Sequence, residues 1–348
     1  MEPMNLRDEA FVTETERKKE QMTSSSSHSL PVASSASQVL TTSNSVFLHP
    51  ECIGPAIKKW GFLLEDDAGW PHPCHYYDGS AESVRWIFVL DTLNHCFWPD
   101  RGEATWTVLY NGNAYSGYWG LAAALKRAYG EGMPITSAEY LAGIDRADLR
   151  RILAGDGEIP LFAERLRNLR EAGRAIVSLW DGDIVHLVES SGGSAVRAVW
   201  NVVSSFPSFR DEAMYKGEKV RFWKRAQLFI ADVHAAFTGA SLGRFADIDE
   251  LTAFADYKLP QVLRELEIIS YHPVLANRID ERHSIEAGCE EEVEIRAATI
   301  CAVEALRAGF HRGGLPVNSV RVDNWLWRLG QIKEFRGKPY HRCRTIFY

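Results

Sequence analysis

Ser80-Ala-Glu-Ser-Val-Arg-Trp-Ile-Phe-Val-Leu-Asp-Thr-Leu-Asn-His-Cys96 is the stretch on which the fold class turns. Ser80 followed by Ala81, Glu82 and Ser83 is a helix start, and Val84, Ile87, Phe88, Leu90 and Leu93 run on at mixed helical spacing with Asp91 among them. The stretch therefore reads as a buried helix that ends near Cys96. Its apolar run at Ile87–Leu90 is broken at once by Asp91, far short of the ~18 residues a bilayer span needs. No membrane partner is expected.

Working outward, Thr105 to Tyr110 alternates, Asn111-Gly112-Asn113 signals a turn, and Ala114 to Tyr118 returns as a second strand, the one convincing hairpin. Beyond it the pattern predicts helices over 119–129, 137–143 capped by Ser137, 145–154 capped by Asp145, 160–180, 223–237, 249–255, 260–269, 290–310 and 317–330. The fold class is mainly α with a small β-hairpin element. Neither GxGxxG nor GxxxxGK[ST] occurs, so dinucleotide-binding and P-loop readings fall away. HExxH and the zinc-deaminase pattern are absent too. His72, Cys74 and His75 crowd into four residues and cannot easily converge on one ion, so neither a metal nor another cofactor is expected.

The chain has 348 residues, 46% of them apolar with 11 Trp, 16 Phe and 12 Tyr, a globular composition. Lys and Arg number 39 against 46 Asp and Glu, a net charge of −7, which argues against a polymeric nucleic-acid partner. The six cysteines are too sparse for a disulfide scaffold and contain no CxxC pair. With six acids and no apolar segment in the first 22 residues, the expected location is the cytoplasm. Between Thr23 and Ser45, 13 of 23 residues are Ser or Thr and none is charged, so residues 1 to about 45 read as a disordered leader.

Several residues invite chemistry. On the helix expected near Asn318, Val320, Asp323 and Trp327 share one stripe, which turns a carboxylate toward apolar neighbours. A first-turn acid favoured by the helix dipole is the plainer reading. Asp256 lies in Phe254-Ala-Asp-Tyr-Lys-Leu-Pro260, four residues ahead of a proline expected at the first helical position and so too far upstream to cap that helix. Phe254 beside it suits a flat ligand whose edge Asp256 reaches; a solvated loop acid is the alternative. Lys224 and Arg225 stand in a helix first turn against the dipole, which fits a bound phosphate or two solvated cations. The basic tail His341, Arg342, Arg344 among Tyr340, Phe347 and Tyr348 reads as docked.

Ordered blocks over about 55–348 together resemble the queuosine salvage protein family, the queuosine 5′-phosphate N-glycosylases. They are Trp86–Asn94 with Phe97-Trp98, Tyr115–Trp119, Ile135–Ser137, Phe206–Asp211, Trp223–Gln227, Phe254–Leu263, Glu292–Arg296, Asp323–Trp327 and Ile346–Tyr348. The resemblance implies a helical architecture like that of the DNA glycosylases and hydrolysis of the N-glycosidic bond of queuosine 5′-phosphate, releasing queuine. It implies a catalytic carboxylate at Asp256, a second ligand carboxylate at Asp323, a base-stacking ring at Phe254, a sugar-phosphate lysine at Lys224 and a ligand-contacting histidine at His75. After Asp323 the family has Tyr and, near the end of that turn, an acid; here stand Asn324, also expected at the ligand, and Arg328. Residues 46–348 are then one catalytic unit, with lobes of about 46–215 and 216–348 and the site between them. A nucleobase- or nucleoside-binding protein without turnover is the alternative.

Overall fold

A computed structural model describes residues 29–64 and 69–348. The protein is mainly α: among the described residues 14 α-helices are joined to four two-stranded sheets. None of these helices is long and apolar enough to cross a membrane.

The Ala81–Leu93 helix starts as read, with Ser80 Oγ accepting from Glu82 N. It buries every residue from Val84 to Leu93 except Arg85, which is why its pattern showed no single stripe: it is enclosed on all sides. The Lys224–Ala236 and Phe162–Leu179 helices pack against it. The 23-residue Glu290–Arg312 helix forms the second axis, contacted by the Ile53–Trp60, Lys258–Glu265 and Ser319–Leu329 helices. One apolar cluster runs through both from Leu30 to Tyr348.

The expected leader needs correction from residue 29 on; residues 1–28 lie outside the described part. Val32–Thr41 is a helix that buries Val32, Ser35, Ala36 and Val39, an i, i+3, i+4, i+7 stripe, against Glu290–Arg312. Ser43 Oγ (2.7 Å), Asn44 N (3.2 Å) and Ser45 N (2.7 Å) then all donate to the buried Glu294 carboxylate. Small serines and alanines that look like low complexity are what let this helix lie close to its neighbour.

The expected hairpin is present as Thr107–Tyr110 paired with Asn113–Ser116, turning through Asn111 and Gly112, both at positive φ. A second hairpin, Glu212–Tyr215 with Glu218–Arg221, turns through Lys216 and Gly217 in the same way. The other two sheets join distant strands, Val46–Leu48 with Ile269–Tyr271 and Ser284–Ile285 with Arg342–Cys343, so no local signal announced them. The helix expected over 249–255 does not form. Thr252 N and Phe254 N donate instead to the side chains of Gln227 and Asp323, and the chain from Leu251 to Asp256 is non-helical. The C-terminal tail is docked: Tyr348 is 2% exposed and its carbonyl accepts from Cys96 N at 2.8 Å.

Candidate active site

A buried ion pair holds the site's two key segments together. Arg296, on the long Glu290–Arg312 helix, reaches Asp211 with two hydrogen bonds, Nη1 to Oδ1 at 2.8 Å and Nη2 to Oδ2 at 2.5 Å, while its Nε donates to the Ala255 carbonyl at 3.1 Å. The rings of Phe222 and Tyr348 lie against its guanidinium. Asp211 accepts backbone N–H bonds from Phe222 and Trp223 at its carbonyl and from Lys224 at Oδ2. Trp223 can therefore sit in the left-handed region, φ 48°, and launch the Lys224–Ala236 helix. An acid at this helix start offsets the two cations that oppose the dipole.

Those cations part company. Arg225 is fully enclosed and donates to the carbonyls of Asp91, Thr92 and Ser208, so it closes the C-terminal end of the Ala81–Leu93 helix and is not placed for a phosphate. The Lys224 ammonium instead sits among carboxylates. Burial lowers its proton affinity, opposed by the charges of Asp256, Asp91 and Asp323.

Asp256 occupies a position the sequence reading excluded: its Oδ1 accepts from Lys258 N at 2.7 Å and Leu259 N at 3.0 Å. The helix begins at Lys258, two residues earlier than expected, with Tyr257 at the N-cap and Pro260 at its third position, and the Asp256 side chain, one residue before the N-cap, satisfies its first two N–H groups. Capping uses one oxygen; the residue remains partly exposed. Asp323 is buried in the Ser319–Leu329 helix, past its first turn, and its Oδ2 accepts from Phe254 N at 2.8 Å. Burial pushes its carboxyl up to about 8, with Asp256 adding to the rise and the Phe254 N–H and Lys224 opposing it. Phe254, 4% exposed, is thus tied through its backbone to Asp323 and lies two residues before Asp256.

Two further acids, Asp91 and Asp232, neither of them expected as site residues from the sequence, complete the group. Asp91 is fully buried; its Oδ1 accepts from Asn94 and its Oδ2 has no partner among the described residues. Asp232, two helical turns beyond Lys224, is partly exposed. Burial raises the proton affinity of both, and Asp91 raises that of Asp232 further. A lone carboxylate in the apolar run of 84–93 was the signal for Asp91. Nothing local marked Asp232.

His75 lies one residue removed from the acids. Its Nδ1 bonds the Trp70 carbonyl at 2.7 Å and its Nε2 the Tyr118 hydroxyl at 2.8 Å, with the Trp70 ring stacked at 3.9 Å. Burial pushes it down to about 4, so it is neutral, and the Trp70 carbonyl requires the proton on Nδ1. Nε2 then accepts from Tyr118, whose own proton affinity is raised by burial and by Asp232 and Asp91. Trp327, one turn past Asp323, meets the rings of Tyr118 and Trp119 edge to face and makes an aromatic wall. Asn324 is exposed on the adjoining flank, and the Arg328 Nη2 donates to the Leu63 carbonyl.

The structure thus brings Phe254, Asp256, Asp323 and Lys224 together, with His75 joined through Tyr118. A surface cavity of about 440 Å³ between His49, Arg264, Ser270 and Lys338 contains none of them. We place the site at the carboxylates, because the buried Asp91 and Asp323, gathered with the partly exposed Asp232 and Asp256 around one buried lysine, carry an electrostatic cost that a function explains. Among the described residues no three His, Cys, Asp or Glu side chains are disposed to hold a metal ion.

A family model described as queuosine salvage protein matches residues 74–348. A protein of Sphaerobacter thermophilus named queuosine 5′-phosphate N-glycosylase/hydrolase is 44% identical over 319 residues, which cover 92% of this chain and 98% of that one. Proteins of the same name from Mus musculus and Schizosaccharomyces pombe are 34% and 33% identical, over 91% and 86% of this chain and 96% and 90% of theirs.

Proposed function

Since the chain belongs to the queuosine salvage protein family, we propose that it is an N-glycosyl hydrolase that cleaves queuosine 5′-phosphate and releases queuine. The observation that carries this reading is the pairing of two carboxyls in unlike settings across Phe254. Asp256 sits at a helix N-terminus, which favours negative charge; Asp323 is buried and protonated near neutral pH.

Breaking an N-glycosidic bond develops positive charge on the ribose. Asp256, oriented through Oδ1, presents Oδ2 to that charge. Queuine is a 7-deazaguanine and has no N7 to protonate, so help for the leaving base must reach its other atoms. Asp323, as a neutral acid, is the donor for that purpose. Phe254 supplies the face on which the base lies. Lys224, on which the charge of Asp256 acts most strongly among the carboxylates, is assigned to the sugar-phosphate end near the reacting carbon. His75 fixes Tyr118 at the opposite end. Asn324, exposed on the flank beside Asp323, is kept as a ligand contact at the outer edge of the base.

The site draws Asp91 and Tyr118 from residues 46–215 and Lys224, Asp256 and Asp323 from 216–348, which supports one catalytic unit with its ligand between two halves. The net charge of −7 favours a small nucleotide over a nucleic-acid polymer, and six unpaired thiols favour a reducing, cytoplasmic setting. Incubation with queuosine 5′-phosphate and mass detection of free queuine tests the reading. Binding without product would make this a nucleotide-binding protein instead.

A further inference from the structure

We infer that Asp232, backed by the unpartnered carboxyl of Asp91, is the counter-ion for the secondary ammonium on the side chain of a queuosine-type ligand. This deepens the functional reading above and rests on it for the identity of the ligand.

The charges do not balance without a cation. Asp91, Asp232, Asp256 and Asp323 face Lys224, while Arg225 is shared by Asp211, Asp91 and Glu171, and Asp211 is also paired with Arg296. The carboxyls outnumber the cations, which leaves more than one in need of a proton or of a positive ligand. Asp323 takes one proton, and burial and mutual repulsion place the second on the Asp91–Asp232 pair.

Position separates the two acids' tasks. Asp91 is fully buried, and its Oδ2 meets no donor among the described residues, a costly arrangement unless something entering the site uses it. Asp232 is partly exposed, so a ligand can reach it where Asp91 is enclosed. On its helix, Lys224, Leu228 and Asp232 follow one another at i, i+4 and i+8, so Asp232 lies about 12 Å along the axis from the lysine assigned to the sugar-phosphate end. That separation suits the far end of a nucleotide whose base carries a side arm.

The wall at that end is aromatic. The hydroxyl of Tyr118 lies within the influence of Asp232 and Asp91, and its ring meets Trp119 and Trp327. A carboxylate beside aromatic rings is a good setting for an alkylammonium, which gains from both. The other titratable groups facing the pair are Lys224, Arg225 and Asp323, with Asn94 as donor to Asp91. His75 and His95 are both held neutral by burial and add no charge. When the ammonium enters, the proton shared by Asp91 and Asp232 leaves to solvent.

Two measurements test this. The first compares kcat/KM for queuosine 5′-phosphate and for 7-deazaguanosine 5′-phosphate, which lacks the amine. In Asp232→Asn the preference for the amine-bearing nucleotide falls by about tenfold or more, the usual size for loss of a partly buried charge pair, and Asp232→Glu recovers part of it. Equal losses on both nucleotides overturn the inference. The second is calorimetry of queuine binding to the wild-type protein near pH 6.5, in two buffers of different ionisation heat. Release of close to one proton per queuine supports the inference; no release, or no binding of queuine, overturns it. This second measurement decides even where Asp232→Asn does not fold. A wild type that hydrolyses neither nucleotide but binds queuine with proton release removes the functional reading and leaves the ammonium site standing.

Discussion

Phe254 N donates to Asp323 Oδ2 at 2.8 Å, across 69 positions of sequence. One hydrogen bond thereby sets the distance between the ring assigned to the base and the acid assigned to its departure. It also ties the non-helical 251–256 segment to the Ser319–Leu329 helix. Asp256, two residues on, is oriented by the same anchoring.

Asp256→Asn is expected to lower kcat for base release by at least ~10²-fold, the effect of removing one group aimed at developing charge. Asn caps helices about as well as Asp, so the Lys258–Glu265 helix and the thermal midpoint should be retained. Single-turnover kinetics beside a melting curve checks both; a variant keeping a tenth of wild-type kcat removes Asp256 from the central role.

Asp323 makes both activity and stability depend on pH. Its folded carboxyl titrates at about 8 against an ordinary 3.8, so between those values the folded state holds more protons than the unfolded one. Stability therefore falls as pH rises through that window. Asp323→Asn, which cannot ionise, should gain in thermal midpoint relative to wild type on going from pH 5 to pH 9. If Asp323 donates to the leaving base, wild-type kcat declines above about pH 8 and that limb is missing from the variant. A wild-type profile flat from pH 6 to 9.5 rejects the donor role.

Arg296 is expected to matter for geometry as well as stability. Arg296→Leu leaves Asp211 buried without its partner, a loss of about 3–5 kcal/mol measurable by urea unfolding. The double variant Arg296→Leu with Asp211→Leu should regain part of that stability, since Asp211 no longer stands buried without its cation, and only part, because the buried Glu292, 3.6 Å from Arg296, still loses its own. It should not regain activity, because the Ala255 carbonyl still lacks its donor and Lys224 N its acceptor. Full recovery of kcat would show that the pair serves the fold alone.

Removal of residues 1–45 is expected to destabilise the protein by several degrees, in contrast to what the serine-rich composition suggests. The cut uncovers the face of Glu290–Arg312 beneath Val32, Ala36 and Val39 and strips three donors from the buried Glu294. Tyr215, which also donates to Glu294, remains. Removal of residues 1–28 provides the comparison, and equal midpoints for the two truncations would show that the Val32–Thr41 helix contributes nothing.

Read alone, the sequence determined what short-range physics controls. The helix start at Ser80 and the Ser137 and Asp145 caps appear where expected, and Asn318 caps the helix expected near it, each with its backbone N–H bond, because a cap and its partner lie within three residues of each other. The Asn111-Gly112 turn formed for the same reason: only a few residue types adopt its dihedral angles cheaply. Family resemblance added Asp256, Asp323, Phe254 and Lys224 as a set. Tertiary structure alone decided how they meet. It turned 249–255 away from helix by offering Gln227 and Asp323 as acceptors, made Asp256 a cap, separated Lys224 from Arg225, and folded a serine-rich segment onto the Glu290–Arg312 helix. Asp91 and Asp232 show the reason most directly. A carboxylate is ordinary in sequence and becomes costly only when packing strips its water and brings a second one near it, and that depends on residues 141 positions apart.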